Sequence, residues 1–398
     1  MTQKRSLAEL ALFGGSPEFT TPLHVGTPNF GDKAGFLRRF AAILETRRFT
    51  NDGPFVRELE QAIAELCAVP HAVAISSATV GLELLARALE LRGPVLMPAF
   101  TFIATPHAFA WVGLEPRFCD IDERTHGIDP ASAAAAAAGC SALVGVHTWG
   151  IACDVEGLEA VARAKGVPLL FDAAHALGCK RGDQPIGGFG RAEVFSLHAT
   201  KVVNAFEGGI ITTRDADLAE RLRALRDFGF DDYDHVVGLG INAKLSELHA
   251  AAALTTLADF PLILAENRRC FAAYREALRG LPGFTLLDPG VRGASNHQYL
   301  VVDYDAAKAG VPRDALIRAL YAEGVYARRY FYPGCHRMEP YAGRTERCAL
   351  PVTERVADRV LVLPTGPSVS DESVRRIAAL IALMLEHAAE FTERAARR

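Results

Sequence analysis

The chain has 398 residues, half of them hydrophobic and 23% charged, with a formal net charge of −4. That length exceeds one ordinary core, so a large domain with a smaller companion is expected, and the composition excludes disordered and fibrous classes. Charge this small and well mixed gives no footprint for nucleic acid or an anionic membrane. Eight cysteines (Cys67, Cys119, Cys140, Cys153, Cys179, Cys270, Cys335, Cys348) are scattered without CxxC or Cys/His ligand spacing. They read as reduced thiols in a soluble cytoplasmic protein, with no metal site. The N-terminal apolar run is short and broken by Glu9, which argues against a signal peptide. No run reaches membrane-spanning length.

In chain order, a polar arm precedes the amphipathic segment GFLRRFAAILETRRF, whose apolar residues recur at helical spacing. A turn at Thr50–Pro54 caps the next helix, FVRELEQAIAELCAV. His71–Ile75 reads as a short strand, followed by a Ser-Ser-Ala-Thr turn and a helix from near Val80. Backbone N–H groups and hydroxyls at such a helix start suit an anion, although Ser77 or Thr79 can equally serve as a simple cap. A strand at Gly93–Met97 leads to Thr101 and Phe102 at its C-terminal end. Phe102 can pack in a core or stack on a flat ring at the edge where open α/β sheets bind ligands. The strand EPRFCDID follows, then an alanine-rich helix (Ala131–Ala138) opened by Asp129-Pro130. Next come the strand SALVGVHTWG, the helix DVEGLEAVARAKG and a strand ending on Asp172.

Alternation of short apolar strands with helices implies an α/β fold, a mostly parallel central sheet covered on both faces. The stretch EVFSLHATKVVNAFEGGIITT then reads as strand, polar turn and strand, with Lys201 in the turn. After it come the helix DADLAERLRALRDFG, a loop FDDYDHVVGLG, and a long alanine-rich helix broken at Pro261. The remainder mixes strands (HQYLVVDY, GVYARRYFYP) with helices, as a smaller C-terminal α+β domain would. The expected division is an N-terminal arm (1–25), a large domain (26–255) and a small domain (256–398).

A lone loop lysine is ordinarily a solvated surface charge, and an acid ending an apolar strand is costly without a partner. Four signals nevertheless fall at strand ends: hydroxyls at a helix start, an aromatic, an acid and a lysine. Pyridoxal 5′-phosphate (PLP) accounts for all four. It needs an anion pocket, a flat surface, a carboxylate for its pyridine nitrogen, and a lysine for its aldehyde. The same lysine, once released, can move the substrate proton.

These residues resemble the DegT/DnrJ/EryC1/StrS family of PLP-dependent sugar aminotransferases, of fold type I, over nearly the whole chain. Ser77-Ala78-Thr79 is similar to the family's phosphate segment, Thr101–Thr105 to the segment carrying the stacking aromatic (Phe102), and Asp172-Ala173-Ala174-His175 to its Asp-Ala-Ala-Gln. Ser196, Lys201 and Glu207-Gly208-Gly209 match its lysine motif, and Asn242 to Glu247 its Asn-x-x-x-x-Glu. The resemblance implies a Lys201 internal aldimine and a pyridoxamine phosphate intermediate. It also implies Asp172 on the pyridine nitrogen, His175 near the 3′-oxygen, Ser77, Ala78, Thr79 and Ser196 at the phosphate, and Asn242 reaching the neighbouring site of a homodimer. Tyr332 and His336 fall in its substrate segment, with Arg328, Arg329 and Arg337 as unranked phosphate partners. Ala78 departs from the usual glycine, a change that disfavours left-handed backbone. His175 replaces a common glutamine, which makes its charge pH-sensitive. The His198-Ala199 turn departs from His-Pro. The presence of Lys201 argues against the relatives that carry histidine there and act as dehydratases.

The implied reaction moves an amino group from an amino acid, foremost L-glutamate, to a keto group on a nucleotide-linked deoxysugar. The alternatives are an aminocyclitol or other natural-product ketone with glutamine as a possible donor, a non-catalytic PLP-binding regulator, and another PLP reaction type.

Overall fold

The computed structural model describes residues 4–343 and 349–398, so Cys348 and its expected thiol state lie outside the described residues. Seven strands make the main sheet: β1 (His71–Ile75), β2 (Val95–Pro98), β3 (Pro116–Cys119), β4 (Ala142–Val146), β5 (Leu169–Asp172), β6 (Ala192–Ser196) and β7 (Gly209–Thr213). Their order is β1-β7-β6-β5-β4-β2-β3. Pairs from β3 through β6 are parallel, while β7 runs antiparallel to both β6 and β1. Only β7 is reversed. The chain therefore leaves β6 at the edge where the other strands end and turns straight back.

Both faces of this sheet are buried, which is why its strands read as continuous apolar runs. Alternate residues point to opposite layers: Leu169 and Phe171 enter one core and Leu170 the other, as do Phe195 against Val194. Helices α1 (Lys33–Thr46), α2 (Pro54–Leu66), α3 (Ala78–Ala88), α4 (Ala104–Trp111), α5 (Pro130–Ala136), α6 (Val155–Lys165), α7 (Ala216–Leu225) and α8 (Glu247–Ala258) surround it. Leu59 and Ile63 of α2, Leu158 of α6 and Ala253 of α8 fill the first layer; Leu85 of α3, Phe109 of α4 and Leu222 of α7 fill the second. Each such buried leucine, isoleucine or phenylalanine contributes about 1.5–3 kcal/mol.

Helix starts follow their capping residues. Ser77, Asp129 and Asp154 accept backbone N–H bonds at the starts of α3, α5 and α6. The Ser77 cap starts α3 at Ala78, two residues before the expected point. The alanine helix stops at Ala136, ahead of the left-handed Gly139 at φ 71°. Glu247, 1% exposed, accepts Phe55 N at 3.0 Å and Val56 N at 2.9 Å. It thereby satisfies amides at the start of α2 that have no intrahelical acceptor.

A second sheet of three antiparallel strands, β8 (Phe284–Leu286), β9 (Leu300–Tyr304) and β10 (Val360–Leu363), packs on α9 (Phe260–Ala277), α10 (Arg313–Ala322), α11 (Pro351–Arg359), α12 (Asp371–Glu386) and α13 (Ala388–Ala396). Leu7, Leu10 and Phe19 of the N-terminal segment join this second core. A mixed cluster joins the two units: Phe100, Ile121 and Trp149 from one side meet Phe331, Val356 and Val362 from the other. The expected strand GVYARRYFYP is strand only at Val325–Tyr326. The segment then turns, with cis peptides at Tyr330-Phe331 and Tyr332-Pro333. The loop after α7 contains a hairpin, Phe230–Asp232 with His235–Val236. No single described helix is long and apolar enough to cross a membrane.

Candidate active site

The C-terminal ends of the parallel strands open on one cavity of about 340 Å³, a size suited to a small organic ligand. Ser77 and Thr79 follow β1, Thr101 and Phe102 follow β2, His147 follows β4, Asp172 ends β5 and Ser196 ends β6. Lys201 enters from the loop joining β6 to the reversed β7. The reversal of β7 is what returns the lysine loop to the edge holding Asp172.

Asp172 is 8% exposed and its carboxylate is partnered. Thr105 Oγ donates to Oδ2 at 2.7 Å, and the Ala174 N–H donates to Oδ1 at 3.0 Å. Because the Thr105 proton points at Asp172, Thr101 donates to Thr105 at 2.8 Å, giving a relay of buried hydroxyls behind the acid. The chain from Thr101 to Thr105 fixes the carboxylate at the cavity floor.

His175 is fixed in a similar way. The Trp149 N–H donates to its Nδ1 at 3.3 Å, so Nε2 carries the ring proton. Burial, reinforced by Lys201, lowers its pKa well below the ordinary histidine value. The imidazole therefore stays neutral, which corrects the pH-sensitive charge expected from its identity alone. Trp149 holds left-handed backbone (φ 62°), and Asn296 Nδ2 donates to the His175 carbonyl at 2.9 Å.

Lys201 sits in a braced loop. Asn29 Nδ2 donates to the Lys201 carbonyl at 3.2 Å, and Gln298 Nε2 donates to that of Thr200 at 3.2 Å. Burial lowers the Lys201 pKa from 10.5 to about 8, against opposing pulls from Asp172 and Tyr330. An amine with that pKa is still mostly protonated at pH 7, but its neutral share, about a tenth, far exceeds that of an ordinary lysine, which favours work as a nucleophile or base.

At the other end, Ser77 caps α3 by accepting the Val80 N–H at 3.2 Å and also lines the cavity. Capping and anion binding are thus compatible there. Gly209 packs so closely on this helix start that a Cβ would lie 2.6 Å from Ala78 N and 2.7 Å from Ser77 C. Ala78 takes helical backbone as the first residue of α3, so the departure from glycine is accommodated. First-turn amides, Ser77, Thr79 and Ser196 supply donors suited to an anion at this end. The Phe102 ring, 53% exposed, lines the same cavity as a flat apolar face. Donors suited to an anion, a flat apolar face, a buried carboxylate and a lysine of lowered pKa together fit PLP.

Three anticipated residues lie apart from these. Asn242 is exposed, pairs its backbone with Asp227 and does not line the cavity. Tyr332 stacks under Arg329 at 4.4 Å and Arg313 at 5.2 Å. His336 is buried against Glu354 at 3.3 Å. Among the arginines, Arg329 pairs with Asp314 and Arg337 with Glu354, each at 2.6 Å, and Arg328 covers the Tyr330 ring. The small-domain side of the cavity is instead Tyr299, Tyr330 and Phe331, none of which sequence reading singled out. Tyr299 falls within the run read as an ordinary apolar strand, just ahead of β9, and Tyr330-Phe331 adjoins the named Tyr332. Without the turn geometry nothing separated these neighbours.

A family model for the DegT/DnrJ/EryC1/StrS aminotransferase family matches residues 32–382. Over 371 residues the chain is 31% identical to the dTDP-4-amino-4,6-dideoxy-D-glucose transaminase of Shigella dysenteriae, covering 90% of this chain and 98% of the relative. It is 36% identical over 336 residues to the UDP-N-acetyl-3-dehydro-alpha-D-glucosamine 3-aminotransferase of Acidithiobacillus ferrooxidans, covering 82% and 87%. The crystal structure of DesI, solved in the presence of its TDP-sugar product, superposes with a TM-score of 0.95 at 50% identity, covering 99% of this chain and all of that one. The chain belongs to the DegT/DnrJ/EryC1/StrS aminotransferase family and is a PLP-dependent aminotransferase.

Proposed function

We propose that this aminotransferase moves an amino group from L-glutamate to the keto group of a dTDP-linked deoxysugar, placing nitrogen at sugar C4. The observation that carries the reading is the convergence of Lys201, Asp172, Phe102 and the α3 start in one cavity. The DesI likeness supports a TDP-sugar, and the Shigella relative, aligned over 90% of this chain, supports C4.

When bound, PLP supplies an electron-accepting ring that stabilises charge at the carbon bearing the transferred nitrogen. The α3 amides with Ser77, Thr79 and Ser196 would hold its phosphate, Phe102 would offer the ring a flat apolar surface, Asp172 would partner the ring nitrogen and His175 would offer Nε2–H to the 3′-oxygen. Lys201 would anchor the aldehyde and, once free, its Nζ would take and return a proton at the substrate carbon.

The proposal includes a homodimer in which Asn242 serves the neighbouring cavity. Its support is the exposed apolar hairpin leading into Asn242, where Tyr233 is 93% and Leu239 82% exposed, a patch unusual for a monomer. It also includes a cytoplasmic address, supported by Cys67, Cys140, Cys153, Cys179, Cys270 and Cys335, which are buried free thiols. The arm (1–25), large (26–255) and small (256–398) division is supported by the separate cores and by the 59° bend between α8 and α9.

Purified protein incubated with glutamate and dTDP-4-keto-6-deoxyglucose should yield the amino sugar by mass spectrometry. Absence of amination across a panel of nucleotide keto-sugars would sink the reading. For the shared site, K201M and N242A proteins, each inactive alone, should regain activity on mixing, because one cavity of the mixed dimer has both residues. No recovery after verified subunit exchange refutes the placement of Asn242.

A further inference from the structure

Tyr299 plays no part in the roles above, yet it touches the central lysine. Lys201 Nζ donates to the Tyr299 hydroxyl oxygen at 3.3 Å. The tyrosine arrives from the other unit of the fold, at the approach to β9, so the lysine of one core meets a hydroxyl from the other. Its ring is walled by His175 at 4.6 Å and Trp149 at 5.4 Å between centroids. The backbone before it is pinned to both neighbours: Gln298 bonds the Thr200 carbonyl, and Asn296 bonds that of His175. The position of this hydroxyl is thus set by the same contacts that hold the lysine loop and the His175 turn.

A lysine released from a covalent link regains a flexible four-carbon stem, and its lone pair points nowhere in particular. Carboxylate partners hold lysine as ammonium, which removes the lone pair. A phenol does not, and burial raises the Tyr299 pKa, keeping that oxygen a neutral acceptor. We propose that Tyr299 is a positioning residue for Lys201: its hydroxyl oxygen takes one N–H of the free amine and leaves the Nζ lone pair directed into the cavity for proton transfer. This rests on the aminotransferase reading above. The other titratable groups around the amine are Asp172 on β5, His175 after it, His147 after β4, Tyr330 from the small-domain turn, and His198 and Glu207 on the lysine loop.

The test is Y299F in the full-length chain. The sequence has seven lysines, few enough for each to be followed by NMR after biosynthetic labelling of the cofactor-free protein with lysine carrying ¹³C at Cε, with K201M identifying the Lys201 signal. Ammonium donates more strongly than amine, so losing the acceptor should move the Lys201 midpoint down by about one pH unit. In the loaded enzyme the acid limb of kcat should shift down in step. Plateau kcat should fall about 10- to 100-fold while KM for glutamate changes less than about threefold. A purely structural tyrosine would lower the melting temperature without moving the midpoint. An unmoved midpoint and acid limb, or an unchanged kcat, overturns the proposal. Should Y299F not fold, Y299L carries the same measurement. If the wild-type protein transfers no amino group to any acceptor, the functional reading falls, while the NMR midpoint still decides the role of Tyr299.

Discussion

Replacing Lys201 with methionine should abolish amino transfer and, at neutral pH, make the cofactor-free protein more stable. The reason is the cost of burying an ammonium. The Lys201 pKa falls from 10.5 in the unfolded chain to about 8 in the native one, chiefly through burial. A difference of ~2.5 units at 1.36 kcal/mol each makes the native state about 3 kcal/mol less stable than it would be with a neutral group there. The pH dependence follows from proton counts. Below about pH 8 both states are protonated and the full cost applies. Between 8 and 10.5 the unfolded chain binds a proton that the native chain lacks, so stability rises with pH. Above 10.5 both are neutral and the cost is gone. Methionine removes this dependence and forfeits the bond to Tyr299, a loss of about 1 kcal/mol. K201M should therefore be about 2 kcal/mol more stable than wild type at pH 7, and about 1 kcal/mol less stable near pH 10.5. Urea unfolding of both full-length proteins across this range, compared as a difference, checks it. A wild-type minus variant difference that does not change sign with pH would falsify the buried-ammonium account.

His175, held neutral by burial and by the Trp149 N–H on Nδ1, should contribute no titration to activity. H175Q should keep the wild-type shape of kcat/KM between pH 5.5 and 8, within about threefold at every point; a limb lost in the variant would show that the imidazole changes charge. Gly209→Ala would place a Cβ 2.6 Å from Ala78 N, pushing the start of α3 away from β7. The expected cost is about 1–3 kcal/mol of stability, with PLP affinity weakened by about tenfold or more. Equilibrium dialysis of PLP measures the second effect, and unchanged affinity would show that the anion donors do not depend on this contact.

Much of the cavity was legible from the sequence because it is built where strands end. Ser77, Thr79, Phe102, Asp172, Ser196 and Lys201 each follow or close an apolar run, and a parallel sheet gathers such positions at one edge whatever the loops do. The reversal of β7 is compatible with the same reading, since strand, turn and strand around Lys201 is what a direct return looks like. The residues that escaped notice are placed by contacts between the two cores. Tyr299 immediately precedes the buried strand β9, and its hydroxyl becomes informative only when the small sheet brings it to Lys201. The aromatic run Tyr330-Phe331-Tyr332 shows the limit most clearly. Read as an extended strand, it would place Tyr330 and Tyr332 on one face and Phe331 on the other. The turn that replaces the strand directs Tyr330 and Phe331 together into the cavity and leaves Tyr332 beneath Arg329. A period of two was the wrong ruler there. Side-chain direction in this segment is set by packing of Phe331 on Trp149, at 5.2 Å and 11° between the rings, a contact between residues far apart in the chain. Such a contact leaves no local pattern, so the polar end of the cofactor site could be read from sequence while the aromatic wall over it required the fold.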